Sequence, residues 1–214
     1  MLQDYLIPET TEQALAYLRE SKGQARIIAG GTDLILDLED GKKEAGVLVD
    51  ITRIPGLNKI TMEDGVIRIG AAVTHSQAAK SELSREKASA LAQASRSVGS
   101  LQIRNVATVV GNVVNGQPAA DAAVALVALG AVAEIISPAG AEYLPVEKMY
   151  AGVGKSTLDS TAQIVTMIHF PAALKNQGSA YERLQQRKAL ALPMLNVAVV
   201  VSLSGDRFEW ARIA

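Results

Sequence analysis

The residues of this chain best suited to chemistry are glycines and small polar side chains rather than acid–base pairs. Gly30 and Gly31 stand between an apolar run and a helical pattern in RIIAGGTDLILDLEDGK, residues 26–42. Two glycines at the end of a strand let the backbone turn tightly, and no Cβ covers their N–H groups, as an anion-binding turn requires. The dipole of the following first turn favours a phosphate there. The same dipeptide also serves as a plain βα connection. Asp33 opposes an anion unless its carboxylate turns away to cap the helix. The dinucleotide spacing G-x-G-x-x-G is absent.

A second stretch, IRNVATVVGNVVNGQPAADAAVALVALGA (103–131), gathers more donors. Thr108, Asn112 and Asn115 offer hydroxyl and amide groups, Gly111 permits a close backbone approach, and Asp121 can accept two hydroxyl hydrogens from a ribose. Its purely structural reading is a turn followed by a capped helix, which leaves polar residues clustered within apolar surroundings. GVGKST (152–157) imitates a phosphate loop but carries Met149 where G-x-x-x-x-G-K-[ST] needs glycine, so Lys155 reads as a solvated loop lysine. His75, with no carboxylate positioned beside it in sequence, reads as a hydrogen-bonded structural residue rather than a general base. ERLQQRK (182–188) is a set of phosphate contacts or a solvated helix face, and the second is the expectation.

The elements that must position these residues follow from periodicity and punctuation. Thr10 or Thr11 caps a first amphipathic helix with Ala14, Leu15 and Leu18 on one side, closed by Gly23. ARIIAG reads as a buried strand, TDLILDLEDG as a short helix ending at Gly41 and GVLVDI as a second strand, a parallel βαβ order. Ile60 to Ile69 forms a hairpin about Asp64-Gly65. Residues 76–98 read as an alanine-rich helical region, and Pro118 as the first helical position of an apolar helix ended by Gly130. VAEIIS, EYLPVEKMY and AQIVTMIHFP are strand-like, and AALKNQGS (172–179) reads as a linker.

Composition limits the chemistry further. With 21 basic and 22 acidic residues and a formal net charge of -1, no global positive field draws in nucleic acid or an anionic membrane. The apolar runs 122–136 and 189–203 are each about 15 residues and interrupted, short of the roughly 20 a membrane span needs. The N-terminal sequence lacks a signal-peptide pattern, so the expected compartment is the cytoplasm. No cysteine and two separated histidines, His75 and His169, argue against a protein-held cluster or transition metal. Redox chemistry here would need an organic cofactor.

Taken together, IIAGGTDL (27–34), IRNVATVVGN (103–112), PAADAAVALVALGA (118–131) and YERLQQRKALALPMLNVAV (181–199) resemble the FAD-binding subunit or domain of the molybdenum hydroxylases, the xanthine dehydrogenase and carbon monoxide dehydrogenase medium-subunit family. The resemblance implies an α+β, two-subdomain FAD-binding fold of the vanillyl-alcohol oxidase (PCMH) type. It implies a small α/β subdomain over 1–55, a larger α+β subdomain over 56–174 and the start of a truncated C-terminal domain over 175–214. FAD would extend between the first two. Backbone groups of Ala29, Gly30, Gly31, Thr32 and Asp33, flanked by Ile28 and Leu34, would bind its pyrophosphate. Thr108, Gly111, Asn112 and Asn115 would form a second wall, Asp121 would hold adenosine or ribityl hydroxyls, and Val98, Ile164 and Val165 would pack on the flavin ring.

The implied activity is electron transfer without a catalytic side chain. A molybdopterin-binding large subunit would oxidise the substrate, a [2Fe–2S] small subunit would relay electrons, and FAD on this chain would pass them to NAD or another acceptor. Three departures stand out. Val110 replaces the first glycine of the family's GGN, which would push the phosphate wall outward, and Gln117 replaces a small serine. Glu182 replaces a lysine near the flavin, which would lower its reduction potential. The chain is also expected to leave Val197 to Leu203 as an uncovered edge. A flavin-free scaffold subunit and a stand-alone flavin oxidase of related fold remain alternatives at this stage.

Overall fold

The computed structural model of the protein describes residues 2–187 and 190–214. The chain opens with β1 (Asp4–Leu6), α1 (Thr11–Glu20), β2 (Ala25–Ile28), α2 (Leu34–Glu39) and β3 (Val47–Asp50). These strands form a parallel sheet in the order β1-β3-β2. Parallel pairing follows from the helical crossovers, which return each strand in the same direction. Thr10 is the cap of α1, its hydroxyl accepting from the Gln13 N–H at 3.1 Å. Ala14 and Leu18 turn the apolar stripe of α1 into the core with Ala25 and Val49. The sequence pattern misses β1, a three-residue edge strand with no apolar alternation.

The expected hairpin is β4 (Ile60–Glu63) and β5 (Val66–Gly70). Asp64 and Gly65 both take positive φ, 50° and 74°, the turn whose twist matches the flanking strands. The single helical region expected over 76–98 is three helices: α3 (His75–Lys80), α4 (Glu82–Lys87) and α5 (Ser89–Ser97). Ser81 interrupts it by leaving helical dihedrals and accepting from the Ser84 N–H, and Ala88 breaks it again at φ -154°, ψ 52°. α6 (Leu101–Val106) and α7 (Val109–Val114) follow, then α8 (Asp121–Ala128). Pro118 is therefore not the first helical residue; it lies in the preceding turn, and Asp121 begins the helix.

β6 (Val132–Ser137), β7 (Gly140–Pro145), the short hairpin β8 (Tyr150–Gly152) and β9 (Lys155–Ser156), and β10 (Ile164–Pro171) complete the middle of the chain. The false phosphate loop is that short hairpin, with Lys155 exposed on it. An antiparallel sheet runs β4-β5-β10-β6-β7. The last sheet is the antiparallel meander β11 (Gln177–Leu184), β12 (Leu195–Ser204) and β13 (Arg207–Ile213). The segment read as a linker thus already contains the first residues of β11, and 182–184 of the basic run is strand rather than helix face. Lys188 of that run lies outside the described residues. β12 is not an edge, because it is paired on both sides. Its Ala198, Val200 and Ser202 are buried toward α5 and α8, while Leu195, Val197 and Leu203 project from the opposite face. Among the described residues, no helix is long and apolar enough to cross a membrane.

A short ladder ties α3 to the start of α7. The His75 N–H donates to Ala107 O at 3.0 Å, the Val109 N–H donates to Val73 O at 2.9 Å, and Thr74 bridges Thr108. The ladder draws His75 fully inside, yet neither ring nitrogen has a hydrogen-bond partner among the described residues, contrary to the expectation of a bonded structural histidine. Burial, followed by the charge of Arg104, pushes its pKa down from 6.5 to about 4. Between those values the unfolded chain binds a proton that the folded chain refuses, so stability falls as pH drops through the window. We expect His75→Leu to lose this slope: in denaturant melts, wild-type stability relative to the variant should fall by about 3 kcal/mol between about pH 7 and pH 4. A pH-independent difference would mean that the imidazole is solvated or bonded in the fold.

Candidate functional site

The turn from β2 to α2 is set by two glycines with different tasks. A Cβ on Gly30 would fall 2.3 Å from Val106 O and 2.8 Å from Ala107 Cα, so this turn lies directly against the end of α6. Gly31 takes φ +69°, a conformation that side-chain-bearing residues rarely adopt. Among the described residues, no protein acceptor takes the N–H groups of Gly30, Gly31, Thr32, Asp33 or Leu34. Consecutive open donors at a strand-to-helix turn suit an anion. Ile28 is buried beneath the turn, and Ala29, Thr32 and Leu34 are half-buried around it. Asp33 occupies the cap position of α2 but makes no side-chain cap bond, so capping does not turn its carboxylate away from the turn. Desolvation, then neighbouring Asp37, raises its carboxyl above the usual range, which weakens its opposition to an anion.

Across from this turn, residues 108–115 are more occupied with their own helix than the sequence suggests. Thr108 is buried, and its hydroxyl accepts from the Gly111 N–H at 3.0 Å to cap α7. A Cβ on Gly111 would lie 2.7 Å from that hydroxyl, so the cap itself requires glycine. Asn112 accepts from the Ala122 N–H at 3.1 Å, fixing α7 to the start of α8. Asn115 ends α7 and is half-buried. Val110 points into the core, so its side chain takes no space on the open side of the turn, and no outward displacement follows from it.

Asp121, 5% exposed, is already paired. Its Oδ1 accepts from the Tyr181 hydroxyl and from Arg183 Nη1, the latter at 3.1 Å. It is therefore first a cross-tie between α8 and β11, with less capacity for a ligand's hydroxyls than its sequence position suggests. Burial, then Asp121, raises the Tyr181 pKa strongly, keeping the phenol protonated as the donor. Sequence reasoning singles out no role for Tyr181, and it takes Arg183 only as part of the basic run 182–188, with a solvated helix face as the expectation. Their two-residue spacing, which puts both side chains on one face of a strand, is the available signal.

Beside this cross-tie is a mainly polar cleft of about 450 Å³, lined by Arg96, Gly99, Arg104, Glu182, Arg183 and Leu190 among others. Val98 is half-buried between two of its lining residues, Ser97 and Gly99. Ile164 and Val165 lie in the core, opposite Ile136 and Ile135, and line neither this cleft nor the next. A second, apolar cleft of about 340 Å³ runs along α8, with Gln117, Pro118, Val124 and Tyr150 in its wall. α6 connects the polar cleft to the glycine turn: Arg104 lines the cleft, and two residues later Val106 O abuts Gly30.

Residues 1–173 match the family described as the FAD binding domain in molybdopterin dehydrogenase. The chain is 35% identical over 193 residues to the xanthine dehydrogenase FAD-binding subunit of Escherichia coli O157:H7, an alignment covering 89% of this chain and 66% of that protein. It is 30% identical over 204 residues to the nicotinate dehydrogenase FAD-subunit of Eubacterium barkeri, covering 94% and 69% respectively. The chain spans about two-thirds of the length of these curated relatives. A solved structure of carbon monoxide dehydrogenase from Hydrogenophaga pseudoflava superimposes with a TM-score of 0.93 at 28% identity, over 100% of this chain and 74% of that one. The α+β FAD-binding architecture expected from the resemblance is the one found. With a family match over most of its length and relatives that share both sequence and fold, the chain belongs to the FAD-binding-domain family of the molybdopterin dehydrogenases.

Proposed function

We propose that this chain is the flavoprotein component of a multi-subunit molybdenum-containing dehydrogenase. One observation carries the reading beyond family membership: the glycine turn, with five N–H groups that no described residue accepts, adjoins the end of α6, and α6 leads directly to a polar cleft. An extended dinucleotide needs such a sequence of surfaces, with donors for its diphosphate and a recess for its ring. In this reading the pyrophosphate lies on residues 29–33 between Ile28 and Leu34. Thr108, Gly111, Asn112 and Asn115 form the facing wall, Asp121 braces that wall through Tyr181 and Arg183, and Val98 borders the ring recess. The residues present fit FAD at the turn without displacement of any side chain by a missing glycine.

FAD, when bound, supplies storage for two electrons and their release to an acceptor. The chain contributes binding, orientation and charge. A molybdopterin-binding large subunit and a [2Fe–2S] small subunit are the proposed donors upstream, and NAD or another acceptor takes the electrons. The reading includes a cytoplasmic location and a division into subdomains at 1–55, 56–174 and 175–214, with FAD between the first two.

The first test is a fluorescence titration of the purified chain with FAD, followed by anaerobic photoreduction. Stoichiometric, reducible FAD is expected, and no binding at micromolar FAD would overturn the proposal. Gly31→Ala introduces a strained φ while meeting only the side chains of Ile28 and Ile35, so the variant should fold and bind FAD about tenfold or more weakly. Unchanged affinity would remove the turn from the site. Glu182→Gln deletes a negative charge from the cleft and should raise the bound flavin's midpoint potential; because Glu182 is exposed, the shift should be below about 30 mV, less than tenfold for a two-electron couple. A fall in potential would place the ring outside this cleft.

A further inference from the structure

Three arginines line the polar cleft, and their surroundings give them unequal roles. Arg183 is largely buried and spends its charge on Asp121. Arg96 is exposed in the last turn of α5, where solvent screens it. Arg104 is half-buried and clamped: its Nη1 donates to Val98 O at 2.8 Å and to Gly99 O at 3.1 Å. Those carbonyls sit at the end of α5, where a cation also meets the negative end of the helix dipole. Among the described residues, no protein acceptor takes Arg104 Nε or Nη2, and no carboxylate forms an ion pair with it. A guanidinium held by one nitrogen on two carbonyls is a fixed charge with donors to spare.

We propose that Arg104 is a cofactor-tuning residue: the fixed cation of this cleft that meets the negative charge placed on the flavin ring by reduction, and so raises the flavin's reduction potential. The inference rests on the FAD reading above and adds a role for a named side chain. Reduction by two electrons from a one-electron iron–sulfur donor, with uptake of one proton from solvent, adds one net negative charge to the ring. A preorganised cation nearby favours that state, because it pays no reorganisation when the charge appears. Among the described residues, the other titratable or charged groups around Arg104 do not replace it: His75 on α3 is buried with no partner for its ring nitrogens, Arg96 on α5 is exposed, and on β11 Glu182 has the opposite sign while Arg183 and Tyr181 are tied to Asp121.

The test measures the midpoint potential of bound FAD in the full chain by dye equilibration for wild type, Arg104→Gln and Arg104→Lys, with FAD affinity and Tm recorded for each. Arg104→Gln should shift the reduced-to-oxidised ratio at fixed potential toward oxidised by tenfold or more, about 30 mV for a two-electron couple, and Arg104→Lys should restore most of it. A lowered Tm with unchanged potential would overturn the proposal and leave Arg104 as a helix cap alone. A second measurement needs no variant: the absorbance of reduced wild-type protein should be that of the anionic reduced flavin at neutral pH and below it. A reduced flavin that is neutral at pH 7 would overturn the role of Arg104 while leaving FAD binding intact. Absence of FAD binding in the wild-type chain would overturn the parent reading and this proposal together.

Discussion

The close approach of Gly30 to the Val106–Ala107 backbone is the contact on which the site depends. Two main chains meet there at a separation that admits no Cβ on the glycine side. The contact joins the parallel βαβ unit to the helical segment α6–α7, and those segments supply the donors in question. A ladder from Val73 to His75 holds the same stretch from the other side, through Ala107 O, Val73 O and the Thr74–Thr108 bridge. Residues 106–108 are thus gripped on both sides, and among the described residues the packing leaves the N–H groups of the glycine turn no protein acceptor.

The second constraint is the buried cross-tie of Asp121 with Tyr181 and Arg183. It fastens the start of α8 to β11 across a sequence separation of 60 and 62 residues. Buried ion pairs add little net stability compared with apolar packing, but leaving one partner alone is costly, on the order of 3–5 kcal/mol. Such a tie specifies geometry more than it stabilises. Asn112 connects with it through the Ala122 N–H, so the end of α7, the start of α8 and β11 are positioned as one unit. A pair already satisfied also removes one negative and one positive charge from the electrostatics of the adjoining cleft. Among the described residues, exposed Arg96 and Glu182 and clamped Arg104 remain as the charges of that cleft.

Much of the architecture was legible in the sequence because it rests on local rules. Thr10 as a cap, the parallel βαβ order, the Asp64-Gly65 hairpin and the helix ended by Gly130 all follow from periodicity and turn chemistry over a few residues. The breaks at Ser81 and Ala88 were not legible, since a serine and an alanine are both compatible with a continuing helix and packing decided otherwise. The strand at 177–184 was hidden for a related reason. Its alternation mixes small, aromatic and charged residues, and its inward-facing polar groups find partners far off in sequence: Ser179 on Ser89 and Ala90, Tyr181 and Arg183 on Asp121.

By itself the sequence determined which residue types surround the site: glycines where backbones turn or touch, no cysteine, and the ordered set of motifs that marks the family. Only the tertiary structure decided what each residue is free to do. It engaged Thr108 and Asp121 within the protein, turned Val110, Ile164 and Val165 into the core, and left the glycine-turn N–H groups and part of the Arg104 guanidinium without acceptors among the described residues. The physical reason is that hydrogen-bond capacity is a property of the residue, whereas whether that capacity is already spent depends on groups far away in the chain, which only folding brings within reach.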